Sequence, residues 1–246
     1  SDVSDEQLKN ADNGTYQKEY LVHNINGIEH RNKMSSIRGD YSEIDNGKKV
    51  NKNKLRQWNV SDVVFRKEDI YGERLYAIQW AKDDGSSRPE IEYRSVTDED
   101  LKREEKVTKY LQDNIAIWQA EGWIPDMRIE SGDETERLHK ERGWTYWHHL
   151  FNPRQLLAFG LIKKYSGVFG YPFIGHALNW YARLSTWNRH AGSEAVQQVF
   201  INQALNTVYD YGCRGSSYLF PLLGERVKFA EPIKSRCEVI NQPSNE

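Results

Sequence analysis

The residues best placed to do chemistry lie in two aromatic and basic runs. Gly143-Trp144-Thr145-Tyr146-Trp147-His148-His149-Leu150-Phe151-Asn152-Pro153-Arg154-Gln155 holds four aromatics, two histidines and an arginine in thirteen positions. Asn179-Trp180-Tyr181-Ala182-Arg183-Leu184-Ser185-Thr186-Trp187-Asn188-Arg189-His190 repeats that chemistry. Trp180, Arg183 and Trp187 are three and four residues apart, so on a helix they share one face. Aromatic rings beside guanidinium groups stack on extruded or single-stranded bases and grip their phosphates. On that reading the candidate nucleic-acid-binding residues are Arg142, Trp144, Trp147, His148, Asn152, Arg154, Arg183, Trp187, Asn188 and Arg189. The same spacing also fits tryptophans that anchor a core and arginines that pair with nearby carboxylates.

Other chemistries find less support. Neither Gly-x-Gly-x-x-Gly nor a phosphate-cradling Gly-x4-Gly-Lys-Ser/Thr loop occurs. Ser216 and Ser217 lack a Gly-x-Ser-x-Gly setting, and Cys213 and Cys237 lack an adjacent base. Twenty-four positions apart, the two cysteines cannot supply a four-ligand zinc ribbon and read as reduced thiols. Four of the seven histidines, His139, His148, His149 and His190, lie close in sequence without a His-Glu-x-x-His pattern. Neighbours on a helix point about 100° apart, so His148 and His149 are poorly placed to share an ion. No catalytic, cofactor-binding or metal-ligating residue is assigned.

These residues sit in a chain whose overall charge is almost balanced. Its 246 residues carry 34 Lys and Arg against 36 Asp and Glu, a net charge of −2, so no polyanionic partner follows from charge alone. The hydrophobic share of 38% supports a core and points to a globular protein. No window reaches the roughly 18 apolar residues of a spanning helix, and the first ten residues do not resemble a signal peptide, so a cytoplasmic location without a membrane partner is expected. The charge is unevenly spread. Residues 97–141 hold 13 acids and 7 bases, whereas residues 142–215 hold 7 bases and 2 acids.

The elements that must position the two runs follow from local signals. Residues 1–57 are punctuated by Asn13-Gly14, Asn26-Gly27, Gly39-Asp40 and Asn46-Gly47, which predict small β-hairpins. The basic stretch 48–56 reads as a solvated loop. Leu75-Tyr-Ala-Ile-Gln-Trp80 and the alternating Glu90-Ile-Glu-Tyr-Arg-Ser-Val96 predict two strands joined by a turn at 83–87. Thr97 caps a helix over 98–120, with Leu101, Val107, Leu111, Ile115 and Trp118 near helical spacing, closed by Gly122 and stopped by Pro125. Asn152-Pro153 opens a helix over 154–165. Further helices are expected over 176–189, from Ser193 through Val196, Phe200, Leu205 and Val208, and over 217–230, with a short strand at 237–240. The fold class is α+β: a β-hairpin-rich part over 1–96, an acidic helix and linker over 97–141, and a basic, aromatic-rich helical part over 142–246.

Several segments resemble the central region of a known family. They are Glu73-Arg-Leu-Tyr-Ala-Ile-Gln-Trp80, Thr97-Asp-Glu-Asp-Leu-Lys-Arg-Glu104, Gly122-Trp-Ile-Pro-Asp-Met127 and above all Arg142-Gly-Trp-Thr-Tyr-Trp-His-His-Leu-Phe-Asn-Pro-Arg-Gln-Leu156. Leu184-Ser-Thr-Trp-Asn-Arg189 and Phe200-Ile-Asn-Gln-Ala-Leu205 match as well. The family is that of the large bacterial adenine-specific DNA methyltransferase-like proteins that carry a zinc ribbon and belong to phage-defence or restriction-modification systems. The resemblance runs over residues 16–212. It implies a methylase that takes its methyl group from S-adenosylmethionine, bound by a Pro-Phe-x-Gly-x-Gly-type loop, and holds adenine with an Asp/Asn-Pro-Pro-Tyr/Phe motif. Neither motif is present, and Asn152-Pro153-Arg154 lacks the second proline and the stacking aromatic.

The resemblance therefore implies an internal segment of an adenine-N6 methyltransferase, DNA-contacting or scaffolding, with no chemistry and no cofactor of its own. S-adenosylmethionine belongs to the full-length protein. DNA and the remaining domains of that protein are the implied partners. The alternative is a docking scaffold that binds other subunits of the same system. Burial of Trp144, Trp147 and Trp187 among apolar side chains favours the scaffold, and an open basic groove favours DNA.

Overall fold

The computed structural model describes residues 15–82, 90–185, 197–201 and 204–205. The fold is α+β, with small antiparallel sheets first and helices after them. The Asn-Gly pairs govern the first part. Strands β1 (Tyr16–Gln17), β2 (Tyr20–Ile25) and β3 (Ile28–Lys33) form a sheet in that order, and Ile25 pairs with Ile28 across Asn26-Gly27. Asn26 and Gly27 have φ of 52° and 82°, the two positive values of a type I′ turn whose twist matches that of the strands. Asn46 and Gly47, at 48° and 76°, close β4 (Tyr41–Asp45) and β5 (Lys48–Lys52) in the same way. A one-turn helix, α1 (Met34–Arg38), links the two hairpins. The basic stretch expected to be a loop is thus largely strand β5, because Asn46-Gly47 pairs its lysines with residues 41–45.

Strands β6 (Ala77–Ala81) and β7 (Ile91–Ser95) form the next antiparallel hairpin. Helix α2 (Asp98–Ala120) follows with the predicted bounds. The Thr97 side chain accepts from Asp100 N at 3.3 Å while Asp100 Oδ2 accepts from Thr97 N at 3.0 Å, a reciprocal cap. Its buried stripe is Leu111, Ile115 and Trp118, whereas Leu101 is exposed. The stretch read as a linker also contains a helix, α3 (Glu136–Arg142), which buries Leu138.

Asn152 caps α4 (Pro153–Ser166) through a second reciprocal pair with Gln155, and Pro153 sits where a missing N–H costs nothing. Helix α4 packs on α2 with Gly160 against the Trp118 indole. A Cβ at Gly160 would lie 2.3 Å from Trp118 Cζ3. Gly160→Ala is expected to lower stability by about 1–3 kcal/mol through overpacking, despite alanine's better helix propensity. A thermal melt checks this, and an unchanged or raised Tm contradicts the packing.

Two expected helices are corrected. The one placed over 176–189 is α5 (Tyr171–Leu178), which starts earlier, with Pro172 in its first turn, and ends before Trp180. Beyond Leu178 the chain turns so that Tyr181, Ala182, Leu184 and Arg183 all go inward, which a continuing helix with one inner face cannot do. Trp180 and Arg183 therefore share no helical face. Within the segment expected to be helical from Ser193, β8 (Phe200–Ile201) pairs antiparallel with β9 (Ala204–Leu205). The aromatic and β-branched run Val199-Phe200-Ile201 favours extended backbone. The helix over 217–230, the strand at 237–240, both cysteines and the Asn13-Gly14 turn lie outside the described residues.

The core comprises three adjoining clusters. Trp58, Ile129, Leu138, Trp144, Leu150, Ala182, Leu184 and Val199 form the first. Val63 joins Leu111, Ile115, Trp118, Ile124 and Leu156 in the second, and Phe159, Phe173, Ala177 and Tyr181 form the third. The packing crosses the boundary drawn at residue 96, since Trp58 and Val63 belong with the helical part.

Candidate functional site

The aromatic and basic run folds inward around one arginine. Arg183 has no exposed surface. Its Nε donates to Glu73 Oε1 at 2.6 Å, and Nη2 donates to Glu73 Oε2 at 3.1 Å and to the Val63 carbonyl at 3.0 Å. Nη1 donates to the carbonyls of His149 and Phe151 at 2.7 and 2.6 Å. A guanidinium has five N–H donors, and all five are used. The rings of Trp58, Phe65 and Trp144 surround it, with centroids 5.4, 5.8 and 5.8 Å from Cζ. One side chain thus ties together segments at residues 63, 73 and 149–151 with its own.

Beside it stand the two histidines, both fully buried. Backbone N–H groups of Thr145 and Tyr146 donate to His149 Nδ1 at 3.1 and 3.2 Å, so that nitrogen is the acceptor and the proton lies on Nε2. Nε2–H then donates to the Asn59 carbonyl at 3.0 Å. Burial, with the neighbouring His148 next, pushes the His149 pKa down to about 2. Burial likewise pushes His148 down to about 4, with its Nε2 3.2 Å from the Asp62 carbonyl. Both rings are neutral at physiological pH. Their ring centres are 4.3 Å apart, and each spends a nitrogen on a backbone carbonyl.

A second ionic cluster holds the segment these histidines grip. Arg56 binds Asp69 through two parallel bonds of 2.6 and 2.7 Å and reaches Asp62 at 2.5 Å, while Arg66 donates to Asp62 at 2.8 Å. Burial opposes ionisation of Asp69, but the Arg56 guanidinium and the Arg66 N–H hold its carboxyl below the usual range. Gly143 brings the helical part against this segment. Its φ of 74° and its carbonyl bond to Trp58 N, at 2.8 Å, leave no room for a side chain, since a Cβ would lie 2.3 Å from the Arg56 carbonyl oxygen. The Thr145 hydroxyl adds a bond to the Trp58 carbonyl.

The ten candidate residues therefore separate. Arg142, Trp144, His148 and Arg183 are buried, and Trp147 is half-buried against the first core cluster. The Asn152 side chain is occupied as a helix cap. Arg154 is exposed but donates to Glu104 at 2.6 Å. Trp187, Asn188 and Arg189 lie outside the described residues. The arrangement can join distant segments and keep imidazoles neutral. Among the described residues, no group of three or more His, Cys, Asp or Glu side chains is placed to hold a metal ion. Glu73, Asp62, Asp69 and Arg56 complete the hub but were not singled out by sequence. Comparison with protein-family models, curated proteins and solved structures finds no match to the chain.

Proposed function

We propose that the chain is a non-catalytic scaffolding portion of an adenine-N6 DNA methyltransferase of a restriction or phage-defence system. The observation that carries the scaffolding role is the complete use of the five Arg183 donors inside the protein. A guanidinium committed to Glu73 and three backbone carbonyls has no donor left for a phosphate. The methyltransferase assignment rests on the resemblance of residues 16–212. In this reading the hub holds a rigid surface against which the cofactor-binding and catalytic parts of the same protein dock. S-adenosylmethionine is bound by those parts.

One observation favours DNA contact at a different face. No acid occurs in residues 142–193, and the end of α4 carries Lys163 and Lys164 beside the exposed rings of Tyr165 and Tyr171. The Lys163 ammonium lies 5.6 Å from the Tyr171 centroid. Anisotropy with labelled duplex DNA over a range of salt, together with a methyl-transfer assay, tests the proposal. The scaffold reading expects no methyl transfer and only weak, sequence-independent DNA affinity. Tight binding that falls steeply with salt, and that Lys163→Ala with Lys164→Ala weakens, selects the DNA-contact reading. Methyl transfer by this chain alone contradicts the proposal.

A further inference from the structure

We propose that His23 and His30, on the β2–β3 hairpin, form a two-histidine site for a divalent transition-metal ion. The proposal is independent of the function argued above. The two residues are seven apart in sequence and symmetric about the Asn26-Gly27 turn, and the strand register sets them directly opposite each other. Directly opposed residues on one face of an antiparallel pair hold their Cβ atoms about 4.5–5.5 Å apart. Imidazole nitrogens bind zinc at about 2.0–2.1 Å, so two rings leaning together from that separation bracket one ion. Both histidines are exposed, and among the described residues neither ring has a hydrogen-bond or ion-pair partner. They differ in this from His148 and His149, each of which spends its Nε2 on a backbone carbonyl.

Strand alternation defines the rest of the face. Leu21, Ile25 and Ile28 flank the pair and are exposed, while Glu29 and Arg31 point to the opposite face, where they pair with each other at 3.7 Å. Among the described residues the donor set on this face is thus two imidazoles with no carboxylate, which suits copper, nickel or zinc over calcium or magnesium. Two protein ligands leave coordination positions for water or an external donor. The type I′ turn fixes the register before metal arrives, so little ordering opposes chelation.

The test adds Cu2+ alone to the full chain and follows affinity and the number of coordinating nitrogens by electron paramagnetic resonance. The expected result is one copper with two imidazole nitrogens. Losing one of two linked donors should weaken binding on the order of a hundredfold in His23→Ala and in His30→Ala. His176→Ala, at an exposed histidine elsewhere, should leave binding unchanged. Gly27→Val keeps both imidazoles but strains a φ of 82°, so it should lose the chelate with the register. Undiminished copper affinity in both alanine variants, or in Gly27→Val, overturns the proposal.

Discussion

Arg183→Ala should destabilise the protein by about 3–5 kcal/mol, the usual loss when one partner of a buried ion pair is removed. The size follows from what is left behind. Glu73 loses the cation that donates to both its oxygens, and the carbonyls of Val63, His149 and Phe151 lose their donor. The cage of Trp58, Phe65 and Trp144 loses its occupant as well. Arg183→Lys should recover little, because an ammonium has three donors and cannot reproduce a planar fork aimed at four acceptor residues. Urea denaturation of both variants is the check. A loss below about 0.5 kcal/mol for Arg183→Ala, within the range of ordinary surface substitutions, would mean that the hub is not what joins these segments.

The second large effect is a loss of stability on mild acidification. His148 and His149 stay neutral in the folded protein down to about pH 4 and about pH 2, because burial opposes their charged forms. In the unfolded chain each takes up a proton near pH 6.5. Below pH 6.5 the unfolded state thus binds more protons than the folded one, and stability falls as pH falls. The full contribution is present above pH 6.5. Each histidine supplies a slope approaching 1.4 kcal/mol per pH unit, so two give a fall of about 2.5 kcal/mol between pH 7.0 and 5.5. Asp69 adds a loss of the same sign at lower pH, once acid protonates the carboxylate that Arg56 holds ionised. Urea midpoints at several pH values measure the slope, and His149→Gln should remove about half of it. Stability that is flat from pH 7.0 to 5.5 would show that these imidazoles are not buried neutral.

What was legible in sequence was local. Asn26-Gly27 and Asn46-Gly47 named their hairpins because positive φ at two successive residues is a demand few other pairs meet. Thr97 with Asp100, and Asn152 with Gln155, named helix starts because capping needs only neighbours three apart. The hub had no such signal. Arg183 meets Glu73 across 110 residues and Val63 across 120, and three of its four acceptor residues offer backbone carbonyls, which carry no residue-type signature. The same arginines and tryptophans that suggested base stacking also fit core anchors, and spacing alone left both readings open. The helix misplaced over 176–189 failed for a related reason, since Arg183 reaches the interior only if α5 ends at Leu178. The His23–His30 pair was legible in principle. Once Asn26-Gly27 is taken as a two-residue turn, counting outward sets the two histidines opposite each other.

The central claim is that the aromatic and basic run is an internal hub with Arg183 at its centre. Selective 15N-arginine labelling tests it most directly, by observing the guanidinium N–H groups of Arg183 with and without duplex DNA, assigned by their absence in Arg183→Lys. The account predicts slow solvent exchange, separately resolved Nη protons and no shift on adding DNA, since every donor is already bonded. Rapidly exchanging, averaged Nη protons, or signals that move when DNA is added, would contradict it.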